Sequence, residues 1–154
     1  MALHFARQDD QAIEAYQKAV EMDPNNSFAR IGLARILILE GEYENAIAVA
    51  SKPESDDPYL IAAIGAAYAR WGKRAEAEKV IETLLERSKQ SYIPPYAVCG
   101  IYIALGEKQK ALDWLEKSYE NREDAMLWLN SDPVLDDLRS EPRFHDLVQR
   151  VGLP

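Results

Sequence analysis

The chain is poor in the residues that do covalent and metal chemistry. It has one cysteine, Cys99, and two histidines, His4 and His145, near opposite ends. One thiol allows no intramolecular disulfide, which fits a reducing compartment. Two isolated histidines match no metal-ligand spacing. There is no glycine-rich phosphate loop, no G-x-S-x-G elbow and no Cys-x-x-Cys pair. Basic residues are also scarce: 18 Lys and Arg stand against 26 Asp and Glu, for a net charge of −8. Nucleic-acid affinity rests largely on neutralising phosphates, and acidic membrane surfaces repel such a chain, so both partners are disfavoured. The apolar run Ile36-Leu37-Ile38-Leu39 falls far short of the roughly 20 residues of a membrane span. Met1 to Asp10 lacks the basic flank and apolar core of a secretory signal. The expectation is a soluble, cytoplasmic, non-catalytic protein with no cofactor and no metal.

What the sequence does have is an echo. Gly41, Gly72 and Gly106 each lead an alanine (Ala46, Ala77, Ala111) by five residues, at intervals of 31 and 34 residues. Seven residues before each glycine sits a small side chain (Ala34, Gly65, Cys99), and four before sits a large one (Leu37, Tyr68, Tyr102). Ala50, Ile81 and Leu115 follow the glycines by nine. A glycine after a helical stretch takes positive φ at little cost and turns the chain back. The small residues before and after it then face each other across two helices, where a bulky side chain would push the axes apart. Cys99 is accounted for as the small residue of its column. The unit is an antiparallel helical hairpin, which buries its apolar face only by stacking on neighbours.

These columns resemble the tetratricopeptide repeat family, whose period is about 34 residues. Ile61, Ile64, Gly65, Tyr68, Gly72, Ala77, Ile81 and Leu84 make the best copy. Val98, Cys99, Tyr102, Gly106, Ala111, Leu115 and Ser118 make the next, and Leu33, Ala34, Leu37, Gly41, Tyr43, Ala46 and Ile47 the one upstream. Ala12, Tyr16, Ala19 and Pro24 keep part of the pattern in an opening half-repeat, with Arg7 in place of the glycine. The repeat on Gly41 is three residues short, and Pro53 is expected to truncate its second helix. The resemblance implies an all-α fold: a right-handed α-α superhelix of stacked antiparallel hairpins over residues 1–122, a partial first repeat plus three repeats. Residues 123–154 are read as a C-terminal helical cap packed on that array.

Local signals place the helices. Asp57-Pro58 and Asp132-Pro133 pair a capping acid with proline at the first helical position, and Ser140-Glu141-Pro142 is a looser version. Helices are expected at about 10–22, 27–40, 43–52, 58–71, 74–88, 94–105, 108–120, 124–130, 133–139 and 142–150, with no sheet. The tail string Trp128-Leu129-Asn130-Ser131-Asp132-Pro133, with Leu138-Arg139 and Pro142-Arg143-Phe144, resembles the end of repeat arrays in bacterial kinases, cyclases and winged-helix regulators.

In tetratricopeptide arrays the first helix of each hairpin lines a concave groove. Carried over by column, the resemblance puts Phe28, Ile31, Arg35, Ile38, Tyr59, Ala62, Ala66, Ala69, Arg70, Ile93, Tyr96, Gly100 and Ile103 on the inner surface. Ile31, Arg35, Ile38, Tyr59, Ala62, Ala66, Arg70, Tyr96, Gly100 and Ile103 are the residues expected to contact a partner, with Tyr59 and Tyr96 as aromatic anchors. Small, aliphatic and aromatic side chains flanked by Arg35 and Arg70 do not make the Lys, Arg and Asn clamp of members that hold acidic C-termini. They suit an amphipathic helix or extended apolar peptide. The expected function is a protein–protein interaction module, a scaffold or regulatory part of a larger bacterial signalling protein. A second reading stays open: an oligomerisation unit, such as a homodimer, joined through the N-terminal edge or the concave face. The first-helix remnant Met1 to Arg7 leaves Leu3, Phe5 and Ile13 for a longer chain or a second copy to cover.

Overall fold

The computed structural model describes residues 9–52 and 55–152, and among these the regular structure is helical throughout, with no strand. In chain order the helices are α1 (Asp9–Met22), α2 (Ser27–Leu39), α3 (Tyr43–Ala50), α4 (Pro58–Arg70), α5 (Arg74–Arg87), α6 (Pro95–Ala104) and α7 (Lys108–Glu120). Two short 3-10 segments follow, Asp124–Trp128 and Pro133–Leu138, and then α8 (Pro142–Val151). The expected helix near Met126 to Leu129 is thus a single 3-10 turn. The half-repeat remnant Met1 to Arg7 and Pro53 lie outside the described residues. α3 ends at Ala50 after 8 residues, against 14 in α5.

Each repeat glycine ends a first helix as its column requires. Gly41, Gly72 and Gly106 have φ of 82°, 81° and 75°. The amide after each glycine donates to the carbonyl of the large residue four before it: Glu42 to Leu37, Lys73 to Tyr68 and Glu107 to Tyr102, at 2.8–3.0 Å. This Schellman closure satisfies carbonyls that the helix leaves without partners. At the other ends, Asp57 accepts from the Tyr59 amide at 2.9 Å and Asp132 from the Val134 amide at 3.0 Å. Asn26 caps α2 in the same way, through Ala29. Glu141 makes no side-chain cap bond, so Pro142 alone marks the start of α8.

α2 pairs with α3, α4 with α5 and α6 with α7, and the first helices α2, α4 and α6 also pack on one another in sequence. The columns of small residues sit where the hairpins meet: Ala34, Ala46, Ala77, Cys99 and Ala111 are all buried. Gly65 shows the tolerance. A Cβ there would lie 2.8 Å from Ile101 Cδ1 of α6 and 2.9 Å from Val80 Cγ1 of α5.

The segment from Glu123 onward shares a core with the last hairpin. Met126, Leu129, Leu135, Leu138, Phe144 and Leu147 are buried in one cluster with Tyr96, Cys99, Ile103, Leu112 and Leu115. Each such side chain contributes about 1.5–3 kcal/mol by leaving water. Six of them hold the tail to α6 and α7 through the hydrophobic effect.

Candidate functional site

α2, α4 and α6 present their inward faces side by side, and the residues there recur at three or four positions, one helical turn apart. α2 supplies Ile31, Arg35 and Ile38; α4 supplies Tyr59, Ala62, Ala66 and Arg70; α6 supplies Tyr96, Gly100 and Ile103. The structure brings all ten to one hollow of about 80 Å³, which Val134 of the tail closes on one side. Its floor is open because it is built of small residues. A Cβ placed on Gly100 would meet nothing within 4 Å, in contrast to Gly65 on the packed face of α4. Two inner-surface expectations fall elsewhere: Ala69 and Ile93 pack against the core between the second and third hairpins, whereas Phe28 lines a second hollow on the same face.

The tail changes what this face offers. Arg35 Nη2 donates to Asp132 Oδ2, and the Tyr96 hydroxyl donates to the same oxygen. The other oxygen, Oδ1, caps Val134. Asp132 is 1% exposed, so a buried carboxylate from the tail ties α2 to α6. At the rim, Arg70 meets Asp137 at 2.8 Å with both side chains well exposed. The two arginines expected to flank a groove are therefore engaged by the tail. Tyr96, expected as an accessible anchor, is buried beneath it.

Glu123 supports the tie. It accepts from the Tyr96 amide at 3.1 Å, from the Tyr92 hydroxyl at 2.8 Å and from the Ser118 hydroxyl. Arg139 holds the tail's own shape, donating to the carbonyls of Leu129 and Asp132 and to the Asp136 carboxylate. Sequence reading assigned Asp132 only a capping role.

Burial dominates the titration of the site. It pushes the Tyr96 hydroxyl well above the usual tyrosine range; the Asp132 carboxylate adds to this and Arg35 opposes it. Burial, then Glu123, raises Tyr59. Burial also raises the Cys99 thiol, which leaves it un-ionised and a poor nucleophile. For Arg35, burial acts downward, but Asp132 and Tyr96 outweigh it and the guanidinium is held more firmly charged. Among the described residues no group of three His, Cys, Asp or Glu could hold a metal ion. No described helix is long and apolar enough to cross a membrane.

A second hollow of about 190 Å³ adjoins the first across Ile31, Arg35, Tyr59 and Tyr96. Among the described residues its remaining wall is Tyr16, Phe28, Gly32, Ala125, Trp128 and Asp132. Gly32 stands outside the repeat columns, yet a Cβ there would strike the Tyr16 ring at 2.4 Å. Its absence lets the ring lie on α2.

Stacked hairpins with small residues at the crossings, a glycine closing each first helix and a recessed inner face make an all-helical repeat fold like that of tetratricopeptide proteins. The comparisons agree: residues 7–70 match the family model described as Tetratricopeptide repeat. The chain is 27% identical over 111 residues to Tetratricopeptide repeat protein 1 of Schizosaccharomyces pombe, a match covering 70% of this chain and 11% of that protein. No solved structure matches. Repeats of this family generally mediate protein–protein interaction and are generally non-catalytic.

Proposed function

We propose that this chain is a non-catalytic interaction module that takes an apolar peptide or partner helix in the hollow floored by Ala62, Ala66 and Gly100. The carrying observation is the open space beside Gly100. A tail crosses this face and buries six large side chains, yet the hollow beside it stays lined almost wholly by apolar atoms. A concave apolar recess of about 80 Å³ opening on the surface suits an apolar side chain of a partner. The signalling context rests on the resemblance of the Trp128 to Pro133 string and its neighbours, and we place the module in a larger bacterial signalling protein on that ground.

Selection of short peptides from a displayed random library against the chain tests this reading. Enriched sequences should carry aliphatic anchors, and Gly100→Leu, which puts a side chain into the hollow, should weaken them about tenfold or more. Its thermal midpoint should stay at or above that of the parent. No enrichment, or undiminished binding by Gly100→Leu, rules the reading out.

A further inference from the structure

The two hollows differ in size and in lining, and the difference specifies what each can take. The first is about 80 Å³ with an alanine and glycine floor; the second is about 190 Å³ and walled by aromatic rings. A cavity of about 150 Å³ admits benzene, so the second hollow has room for a ring. Tyr16 and Phe28 already meet edge to face, with centroids 6.2 Å apart and planes at 63°. Phe28 is 48% exposed and Trp128 39% exposed, so both present ring surface at the mouth. Rings of this kind favour a further ring in offset or edge-on contact.

Charge narrows the choice. Arg35 and Asp132 line the hollow and neutralise each other. A buried cation would face Arg35 and a buried anion Asp132, and neither would find an unengaged counter-charge. The entering group is therefore neutral. Outside the hollow the balance is acidic: Asp57 precedes Tyr59 by two residues, and Glu123 and Asp124 precede Ala125. Asp57 caps the Tyr59 amide at 2.9 Å and Glu123 accepts from the Tyr96 amide at 3.1 Å, so both carboxylates sit beside residues that line the hollow. The chain as a whole carries −8.

We infer that the second hollow receives a Trp or Phe side chain of a partner segment that carries Lys or Arg beside the ring. This rests on the concave face being a peptide-binding surface and adds the anchor and its flanks. The tail makes the specificity, because Trp128, Ala125 and Asp132 lie beyond the repeats.

The test uses three pentapeptides, acetyl-Gly-Lys-Trp-Lys-Gly-amide and its Lys-Leu-Lys and Glu-Trp-Glu counterparts, titrated into isotope-labelled protein and followed by amide and indole shifts. The Lys-Trp-Lys peptide should give saturable shifts at Phe28, Gly32, Ala125 and the Trp128 indole. The other two should bind about fivefold more weakly or worse. Phe28→Ala and Trp128→Ala should each weaken Lys-Trp-Lys by about fivefold while keeping the parent spectrum elsewhere, since both rings are part-exposed. Salt at about 0.5 M should weaken it as well. Gly100→Leu should leave it bound. Equal binding by Lys-Leu-Lys, shifts confined to Ala66 and Gly100, or no shifts at about 1 mM peptide overturn the inference. Library peptides that still bind and still fail against Gly100→Leu would then keep the broader reading alive; loss of both results ends both.

Discussion

Two helical glycines in this chain should respond to the same substitution with opposite signs. Gly65 and Gly100 lie in the interiors of α4 and α6. Replacing a mid-helix glycine with alanine removes unfolded-state freedom and gains about 0.5–1 kcal/mol when the new methyl has room. At Gly100 nothing lies within 4 Å of the new Cβ, so Gly100→Ala should stabilise by that full amount. At Gly65 the methyl would sit 2.8 Å from Ile101 Cδ1 and 2.9 Å from Val80 Cγ1. Val80 is only part-buried and can yield, but Ile101 is wholly buried and its Cγ1 is also close, at 3.2 Å. Overpacking of this kind costs about 1–3 kcal/mol, so Gly65→Ala should end destabilised by about 0–2.5 kcal/mol. The two variants should differ by about 1–3 kcal/mol.

For a chain of this size about 1 kcal/mol moves the thermal midpoint by roughly 2–4 °C. Calorimetric or circular-dichroism melts of the two variants beside the parent resolve that difference. Gly100→Ala should melt above the parent and Gly65→Ala at or below it. Should both rise equally, the small-residue column does not set helix approach and the hairpin argument fails. Should both fall, Gly100 is not facing open space and the proposed receptor is lost with it.

Asp132→Ala takes the buried carboxylate from Arg35 and the Tyr96 hydroxyl and removes the cap on Val134, so it should cost about 3–5 kcal/mol in urea titration, and a loss under about 1 kcal/mol would refute the tie. Asp137→Ala, at an exposed pair, should cost about 0–1 kcal/mol in the same experiment. Alkaline pH supplies an independent check on the buried hydroxyls. Tyr59 and Tyr96 ionise above the unfolded value of about 10, so their contribution is complete below about pH 10 and is lost as the unfolded chain sheds protons that the folded chain keeps. Absorbance titration should therefore show some of the eight tyrosines ionising late, with the urea midpoint falling between about pH 8 and about pH 11; eight ordinary titrations with a constant midpoint would contradict the burial.

The repeat array was legible because its signals are local and recur. A glycine, the large residue four before it and the small residue seven before it lie within one helix, so the sequence displays them in register three times. The same register carries the inner-face positions, and the ten residues read from it line one hollow. The tail's route was not legible. Asp132 before Pro133 reads as a helix cap, which it is, but its contact with Arg35 spans 97 residues. One signal pointed that way: an arginine on an otherwise apolar face requires a counter-charge. Periodicity does not say which acid supplies it. Gly32 escaped for a related reason, since its partner ring, Tyr16, belongs to the opening half-repeat where the columns weaken.

That single carboxylate alters how the array behaves as well as what it presents. A repeat protein is ordinarily a row in which each hairpin feels only its neighbours, and stability is close to a sum of adjacent terms. Asp132 binds Arg35 of α2 and Tyr96 of α6, which belong to the first and third hairpins, and so adds a term between non-neighbours. Opening of either end then breaks a contact at the other. The same contact divides the concave face, with a narrow aliphatic recess on one side and a wider aromatic one on the other. On the proposed reading, selectivity for the size of the incoming side chain would come from where the tail crosses the repeats together with the small residues that floor the narrower recess.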